Sequence, residues 1–206
     1  MKDLIIIGGG CLARIAIDMI EEMYSDKYKI IGYTALEKSE DITNYEYLGN
    51  DDILDKYSGK IEYALNCVGT DKSNNVRKKI FNNLIAKKFK TVNLIDNSAR
   101  LARNLKLGQN VIIMKNVSIG INVEIGNNII IYPNTTIDHD CKIGNHSHIC
   151  PGVAIAGNVN IYESVFLGIG SIVSNKITIR ENAIIGAGAV VIKNIESNTI
   201  YKGFRE

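Results

Sequence analysis

The chain has 206 residues, 46% of them hydrophobic and 22% charged. That mixture excludes a disordered chain and allows one large domain or two small ones. With 24 basic against 22 acidic residues, the formal net charge is +2, which leaves no electrostatic footprint for nucleic acid.

Lys2–Ile7 reads as a buried strand. Its apolar run, Leu4-Ile5-Ile6-Ile7, is too short for a signal peptide or a membrane span. The strand runs into Gly8-Gly9-Gly10-Cys11-Leu12-Ala13, a match to G-x-G-x-x-A. Residues 12–24 then carry helical periodicity, with Ile15, Met19 and Met23 on one side and Arg14, Asp18 and Glu22 elsewhere. Lys29–Tyr33 is a second strand, Asp51–Tyr57 a short helix, and Glu62–Val68 a third strand. Asn74–Lys88 is a basic amphipathic helix, and Thr91–Ile95 a last strand. Strands alternating with helices predict a small, Rossmann-like parallel α/β domain over residues 1–96.

The glycine loop follows a strand and opens a helix, the context in which backbone amides receive a phosphate. A dinucleotide site also wants an acid at the end of the second strand. Gly32-Tyr33-Thr34-Ala35 stand there, with no acid before Glu37. A phosphate-bearing substrate is therefore favoured over NAD, with a tight turn that only serves packing as the other reading. Gly8, Gly9 and Gly10 are the candidate substrate residues. Tyr33 suits two roles, stacking on a nucleobase or filling the core.

Near Asp96–Arg100 the period switches to six. From Leu101 to Val191 every sixth residue is aliphatic, without a phase slip, through Ile113, Ile119, Ile125, Ile131, Ile137 and onward. Four residues after each stands a second set, mostly small or β-branched, which includes Val117, Val123, Thr135, Cys141, Val153 and Val159. A period of six fits neither a 3.6-residue helix nor a hairpin meander. It fits short strands separated by corners, three faces to a coil of roughly 18 residues, stacked into a parallel β-helix with a continuous core. Residues 97–206 are assigned to this second domain, an all-β fold of about five coils.

The four cysteines, Cys11, Cys67, Cys141 and Cys150, form no C-x-x-C pair and read as reduced thiols of a cytoplasmic protein. Cys141 shares its hexad position with Val123 and Val159, which predicts an inward, packing side chain rather than an acyl-carrying nucleophile.

One stretch is more specific than the repeat. It runs Asn134-Thr135-Thr136-Ile137-Asp138-His139-Asp140-Cys141-Lys142-Ile143-Gly144, through His148, to Ala156-Gly157-Asn158-Val159. With a small α/β domain ahead of it, this resembles the bacterial sugar acyltransferases of the sialic acid O-acetyltransferase and nucleotide 4-amino-sugar N-acetyltransferase type. The resemblance covers nearly the whole chain. It implies a left-handed β-helix and an acetyl-CoA-dependent enzyme of surface-glycan biosynthesis.

The same resemblance makes His139 the general base, a role suited to an imidazole whose pKa lies near working pH. Asp140 would orient it, with Asp138 as a weaker stand-in. His148, Gly157, Ile169 and Ala187 match positions that line the CoA. Gly157 follows His139 by 18 residues and should lie one coil above it. His146 has no such counterpart and is expected in solvent. His139 and His148 are nine residues apart, half a coil, so within one chain they should point to different sides. That argues against a shared metal ion. The resemblance implies a homotrimer with sites between subunits, and the half-coil gap would then place His139 and the His148 that serves its acetyl-CoA in different subunits.

Three features depart from the family. Cys11 and Leu12 replace a Gly-His pair in the first loop, Tyr33-Thr34-Ala35 replaces an acidic segment, and the chain ends Lys202-Gly203-Phe204-Arg205-Glu206. The leading expectation is N-acetylation of a nucleotide-linked 4-amino-4,6-dideoxy sugar, by direct attack in a ternary complex. The runner-up is O-acetylation of sialic acid or a related sugar. A non-catalytic nucleotide-sugar-binding or scaffold protein is the reading from another class. No nucleic acid or membrane partner is expected.

Overall fold

The structure is a computed structural model that describes residues 1–69 and 74–203. The last three residues of the chain ending lie outside that range. Among the described residues, 1–69 and 76–94 form one unit, while 74–75 and 95–203 form the other. No helix among them is long and apolar enough to cross a membrane.

The first unit is a five-stranded parallel sheet built from β1 (Lys2–Ile7), β2 (Tyr28–Thr34), β3 (Tyr47–Gly49), β4 (Tyr63–Asn66) and β5 (Lys90–Thr91), in the order β3-β2-β1-β4-β5. Leu4, Ile5, Ile6 and Ile7 of β1 are all inaccessible to solvent. An unbroken apolar run is what a central parallel strand, covered on both faces, requires.

Helices α1 (Cys11–Met23), α2 (Leu54–Tyr57) and α3 (Asn75–Ala86) complete the unit. The buried face of α1 is Leu12, Ala13, Ala16, Ile17, Met19 and Ile20. It is rotated from the expected Ile15-Met19-Met23 stripe, because the small Ala13 and Ala16 let the helix approach the sheet. The strand expected over 91–95 is two strands. Lys90–Thr91 ends the α/β sheet, whereas Leu94–Ile95 joins the β-helix. Ile95 is the residue six before Leu101, so the hexad begins one step earlier than expected. The unit boundary accordingly falls before residue 95 rather than after 96.

The second unit is a left-handed parallel β-helix with three faces. The first face holds the strands from Arg100–Leu101 to Val190–Val191, among them Thr136–Ile137 and Ala154–Ile155. The second holds Lys106–Leu107 to Thr178–Ile179, including Lys142–Ile143. The third holds Leu94–Ile95 to Ile200–Tyr201, including His148–Ile149. Strands pair in parallel with residues 18 apart, as in Ile119↔Ile137 and Ile137↔Ile155. Each aliphatic position from Leu101 to Val191 is the second residue of a two-residue strand. Those from Ile113 onward are buried in one core with the second set, including Val123, Thr135, Cys141 and Val159.

The corners have their own periodicity. Every sixth residue from Asn110 to Gly188 has a positive φ, between 55° and 69°. This left-handed conformation is costly for most L-residues and is tolerated best by Gly, Asn and Asp. Asn110, Asn116, Asn122, Asn128, Asn134 and Asp140 fill the first six of these positions. The last coil is shorter than the others. Ile184 pairs with Ile200, and Ile179 bridges Ile195, each 16 residues on.

Candidate active site

His139 stands on the corner between the first-face strand Thr136–Ile137 and the second-face strand Lys142–Ile143. Its backbone N–H donates to Asp138 Oδ1 at 2.8 Å, and its carbonyl accepts from Asn158 N at 2.9 Å. Its Nδ1 lies 2.7 Å from Asp140 Oδ2. An ionised carboxylate only accepts, so Nδ1 carries the proton and the neutral ring keeps its lone pair on Nε2. The Asp140 hydrogen bond holds the His139 pKa above its ordinary value. The charge of Asp138 adds to this, and partial desolvation opposes it. Asp140 is held below the usual carboxylate range by His139 and then by Asn122.

Gly157 lies one coil above, against the ring. A Cβ placed on Gly157 would fall 2.5 Å from His139 Nε2 and 2.6 Å from Cε1. Only the absence of a side chain there lets the imidazole lie where it does. The ring is still about half exposed, at 46%.

A groove of about 360 Å³ runs along the first face beside this corner. Thr136, Asp138, Ala154, Ala156 and Ile172 are among its walls. A larger groove, about 490 Å³, lies on the second face, with Lys106, Glu124, Lys142 and Tyr162 on its walls. It holds the 2.8 Å Lys106–Glu124 ion pair and includes neither His139 nor Asp140.

The other expected residues are spread around the prism. Ile169 and Ala187 stand on the corner between the third and first faces. Both are exposed, across the first face from His139. His148 projects outward from the third face. It stacks on Phe166 at 5.1 Å and packs on Tyr132 at 5.0 Å, with 5% exposure. It therefore lies on the side of the prism away from His139, with its ring between those of Tyr132 and Phe166. His146 is not in solvent as expected. It is 6% exposed, at a left-handed corner position, and its Nδ1 accepts from Asn128 Nδ2 at 2.9 Å. Cys141 points into the core, and burial raises its thiol pKa.

The α/β unit carries the second candidate site. Its strand order reverses at β1 and β4, and the crevice at such a switch point, beyond the carboxyl ends of the strands, is where open α/β sheets hold ligands. Gly8 follows β1 with φ +119°, and a Cβ there would press on the Cys67 carbonyl at 2.9 Å. The facing turn is held from behind. Arg77, 1% exposed, donates through Nη1 to the carbonyls of Asn66 and Val68, each at 2.9 Å. Gly9 rests on Ala35 and on the ring edge of Tyr33. Gly10 precedes the first residue of α1, with open space where a side chain would be.

Tyr33 must be corrected. It is fully buried, and its hydroxyl accepts from Ser39 N at 2.9 Å. The ring supports the glycine loop from beneath and offers no face to a base. Sequence reading also passed over Asn122, whose amide reaches Asp140. The signal that would have found it is the run of Asn and Asp every sixth residue.

Residues 3–84 match the PglD N-terminal domain, and residues 122–157 match the bacterial transferase hexapeptide repeats. Among solved structures, the chain is similar to PerB from Caulobacter crescentus in complex with CoA and GDP-perosamine. Identity is 28%, over 95% of this chain and 91% of that one, with a TM-score of 0.84. A histidine-to-asparagine variant of perosamine N-acetyltransferase from the same organism, also with CoA and GDP-perosamine, matches at 27% identity. It covers 96% and 91% of the two chains, with a TM-score of 0.87. The acetyltransferase domain of PglB from Neisseria gonorrhoeae shares the fold, at 23% identity, 95% and 94% coverage and a TM-score of 0.86. No curated protein sequence matches. The chain thus joins an α/β domain of the PglD N-terminal type to hexapeptide repeats of the bacterial transferase type.

Proposed function

We propose that the protein transfers the acetyl group of acetyl-CoA to the amine of a nucleotide-linked 4-amino-4,6-dideoxy sugar. The observation that carries this reading is the His139–Asp140 pair, 2.7 Å apart, with the ring lying on Gly157 at the edge of the first-face groove. Similarity to PerB over nearly the whole chain supports the acceptor class.

On this reading acetyl-CoA lies along the groove, where Ala154, Ala156 and Ile172 suit the pantetheine arm. The sugar nucleotide sits at the glycine loop, its phosphates toward the amides that open α1. The amine attacks the thioester carbonyl as His139 Nε2 takes its proton. The carbon–sulfur bond breaks, and the CoA sulfur leaves as the thiol once it receives a proton. Asp140 keeps Nδ1 protonated and stabilises the imidazolium. No covalent acyl-enzyme is needed, and Cys141 has no path to one.

Because His139 and His148 occupy opposite sides of one prism, a site that uses them together takes them from different subunits of a homotrimer. Mixing His139→Ala chains with His148→Phe chains, which keep the aromatic stack, should restore turnover if that is so. No recovery would mean that no site uses the two histidines together.

Thiol release from acetyl-CoA, run against UDP-, dTDP- and GDP-linked 4-amino sugars with sialic acids alongside, tests the reaction. Turnover with an amino sugar is expected. Turnover with a sialic acid alone would move the reaction to O-acetylation. Binding of acetyl-CoA without turnover on any acceptor would favour a binding protein.

A further inference from the structure

We propose that Asn122, one coil below the catalytic pair, is a positioning residue that holds the Asp140 carboxylate in the orientation in which it meets His139. For its consequence in turnover this rests on the general-base reading above. Its geometric content stands apart from that reading.

Each oxygen of Asp140 has its own partner. Oδ2 faces His139 Nδ1 at 2.7 Å, and Oδ1 accepts from Asn122 Nδ2 at 3.0 Å. With one oxygen held from below, the carboxylate cannot turn about its Cβ–Cγ bond without losing a charge-assisted hydrogen bond. Asn122 is fixed in turn. Its backbone N–H donates to Asn104 Oδ1 at 3.2 Å, and its own Oδ1 accepts from Asn104 Nδ2. The amide orientation follows from chemistry, because an ionised carboxylate needs a donor and Asn104 presents one to the opposite side. Asn122 and Asp140 both have φ +58°, so the two side chains leave equivalent points of adjacent coils.

Comparison with the neighbouring corners separates this role from ladder-building in general. The Asn116–Asn134 rung, 3.3 Å long, links two neutral amides. The Asn110–Asn128 rung continues to the buried His146. The column through residues 104, 122 and 140 is the one among these that ends on a carboxylate bonded to the exposed His139. The charged groups that face the His139 ring are Asp138 and Asp140. The coil below presents Ile121 and Asn122, and the coil above Gly157 and Asn158, all neutral.

Asn122→Gly is the informative variant, since glycine accepts the positive φ and removes only the side chain. Asn116→Gly makes the same change on a rung that does not touch the pair. The His139 ring would be titrated by NMR in the full-length protein and assigned by its loss in His139→Ala, beside kcat as a function of pH. Asp140→Asn should lower the His139 midpoint toward the ordinary histidine value. Asn122→Gly should move it in the same direction by less. Its plateau kcat should be about three- to tenfold lower, the scale of one ordinary net hydrogen bond, and Asn116→Gly should change neither. An unmoved His139 midpoint in Asn122→Gly would overturn the proposal, as would an equal shift in Asn116→Gly. Full turnover in His139→Ala would instead sink the general-base reading, while the NMR titration would still decide whether Asn122 holds the pair.

Discussion

In the β-helix the direction of a side chain follows from its place in the hexad, whereas in the α/β unit it depends on how strand, loop and helix happen to meet. Ile149 is buried because residues 131 and 167, directly below and above it, are buried for the same reason. Tyr33 is buried because Ser39 folds back to bond its hydroxyl and Gly9 lies over its ring. A one-dimensional rule covers the first case, but nothing within a few residues of Tyr33 announces the second. Repetition also divides the work of the prism. The core positions carry stability, and the corner residues can vary, so the site chemistry gathers on a corner.

The sharpest way to break this comparison is to remove core from a single coil. Ile149→Ala leaves a cavity between two rungs that cannot collapse without shifting their strands. It should cost about 2–5 kcal/mol, read as a lower denaturant midpoint. Because each coil contacts only its neighbours, the loss should be nearly the same for Ile131→Ala or Leu167→Ala. Unequal losses would show that the coils are not equivalent.

His139→Ala tests the other half of the contrast. The side chain is exposed and on a corner, so the melting temperature should hold while kcat falls by about 100-fold or more. The pH dependence has a definite sign. The base works as the neutral imidazole, so turnover falls as pH drops through the His139 pKa. Asp140 raises that pKa, so the acid limb should lie above the ordinary histidine value and move down in Asp140→Asn. A limb that stays in place would separate Asp140 from the working histidine.

Gly157→Ala is expected to be milder and more telling. Its new Cβ would sit 2.5 Å from Nε2, so the ring must swing away and strain its bond to Asp140. Loss in kcat should be about tenfold, with acetyl-CoA affinity altered less than kcat. A pure rise in KM for acetyl-CoA would make Gly157 a cofactor contact and nothing more.

These residues also mark how far sequence reading reaches. His139, Asp140 and Gly157 were found through the family resemblance, and 18-residue spacing added that Gly157 lies above His139. Asn122 obeys the same arithmetic, but attention to the aliphatic positions hid the corner column. His146 was misjudged for the same cause, since its place on a left-handed corner decides its burial more than its polarity does. The early start at Ile95 was obscured because Thr91–Ile95 satisfies a strand pattern on either side of the boundary. In the α/β unit, β1, α1 and the glycine loop were legible from composition. The short β3 strand (Tyr47–Gly49) and the Thr34–Asp51 hydrogen bond, 2.6 Å, were not. They depend on a long connection with little periodicity of its own.

The smallest expected effect concerns that loop. Gly10 precedes α1, has ordinary extended backbone angles, and would place a Cβ with nothing within 4 Å. Packing therefore does not require glycine there, and Gly10→Ala should cost at most about 1 kcal/mol of helix capping. If the phosphates of the acceptor approach these amides, the added methyl enters their space. KM for the sugar nucleotide should then rise about three- to tenfold, while kcat and KM for acetyl-CoA stay put, the pattern of binding lost equally from ground and transition states. The neighbouring Cys11 is exposed, and the three other cysteines are buried, so alkylation reports on this loop with little background. The acceptor should slow alkylation of Cys11 in the wild type, and Gly10→Ala should require proportionally more acceptor for the same protection. Equal protection in both proteins would mean that the phosphates lie elsewhere and that the glycines serve the turn alone.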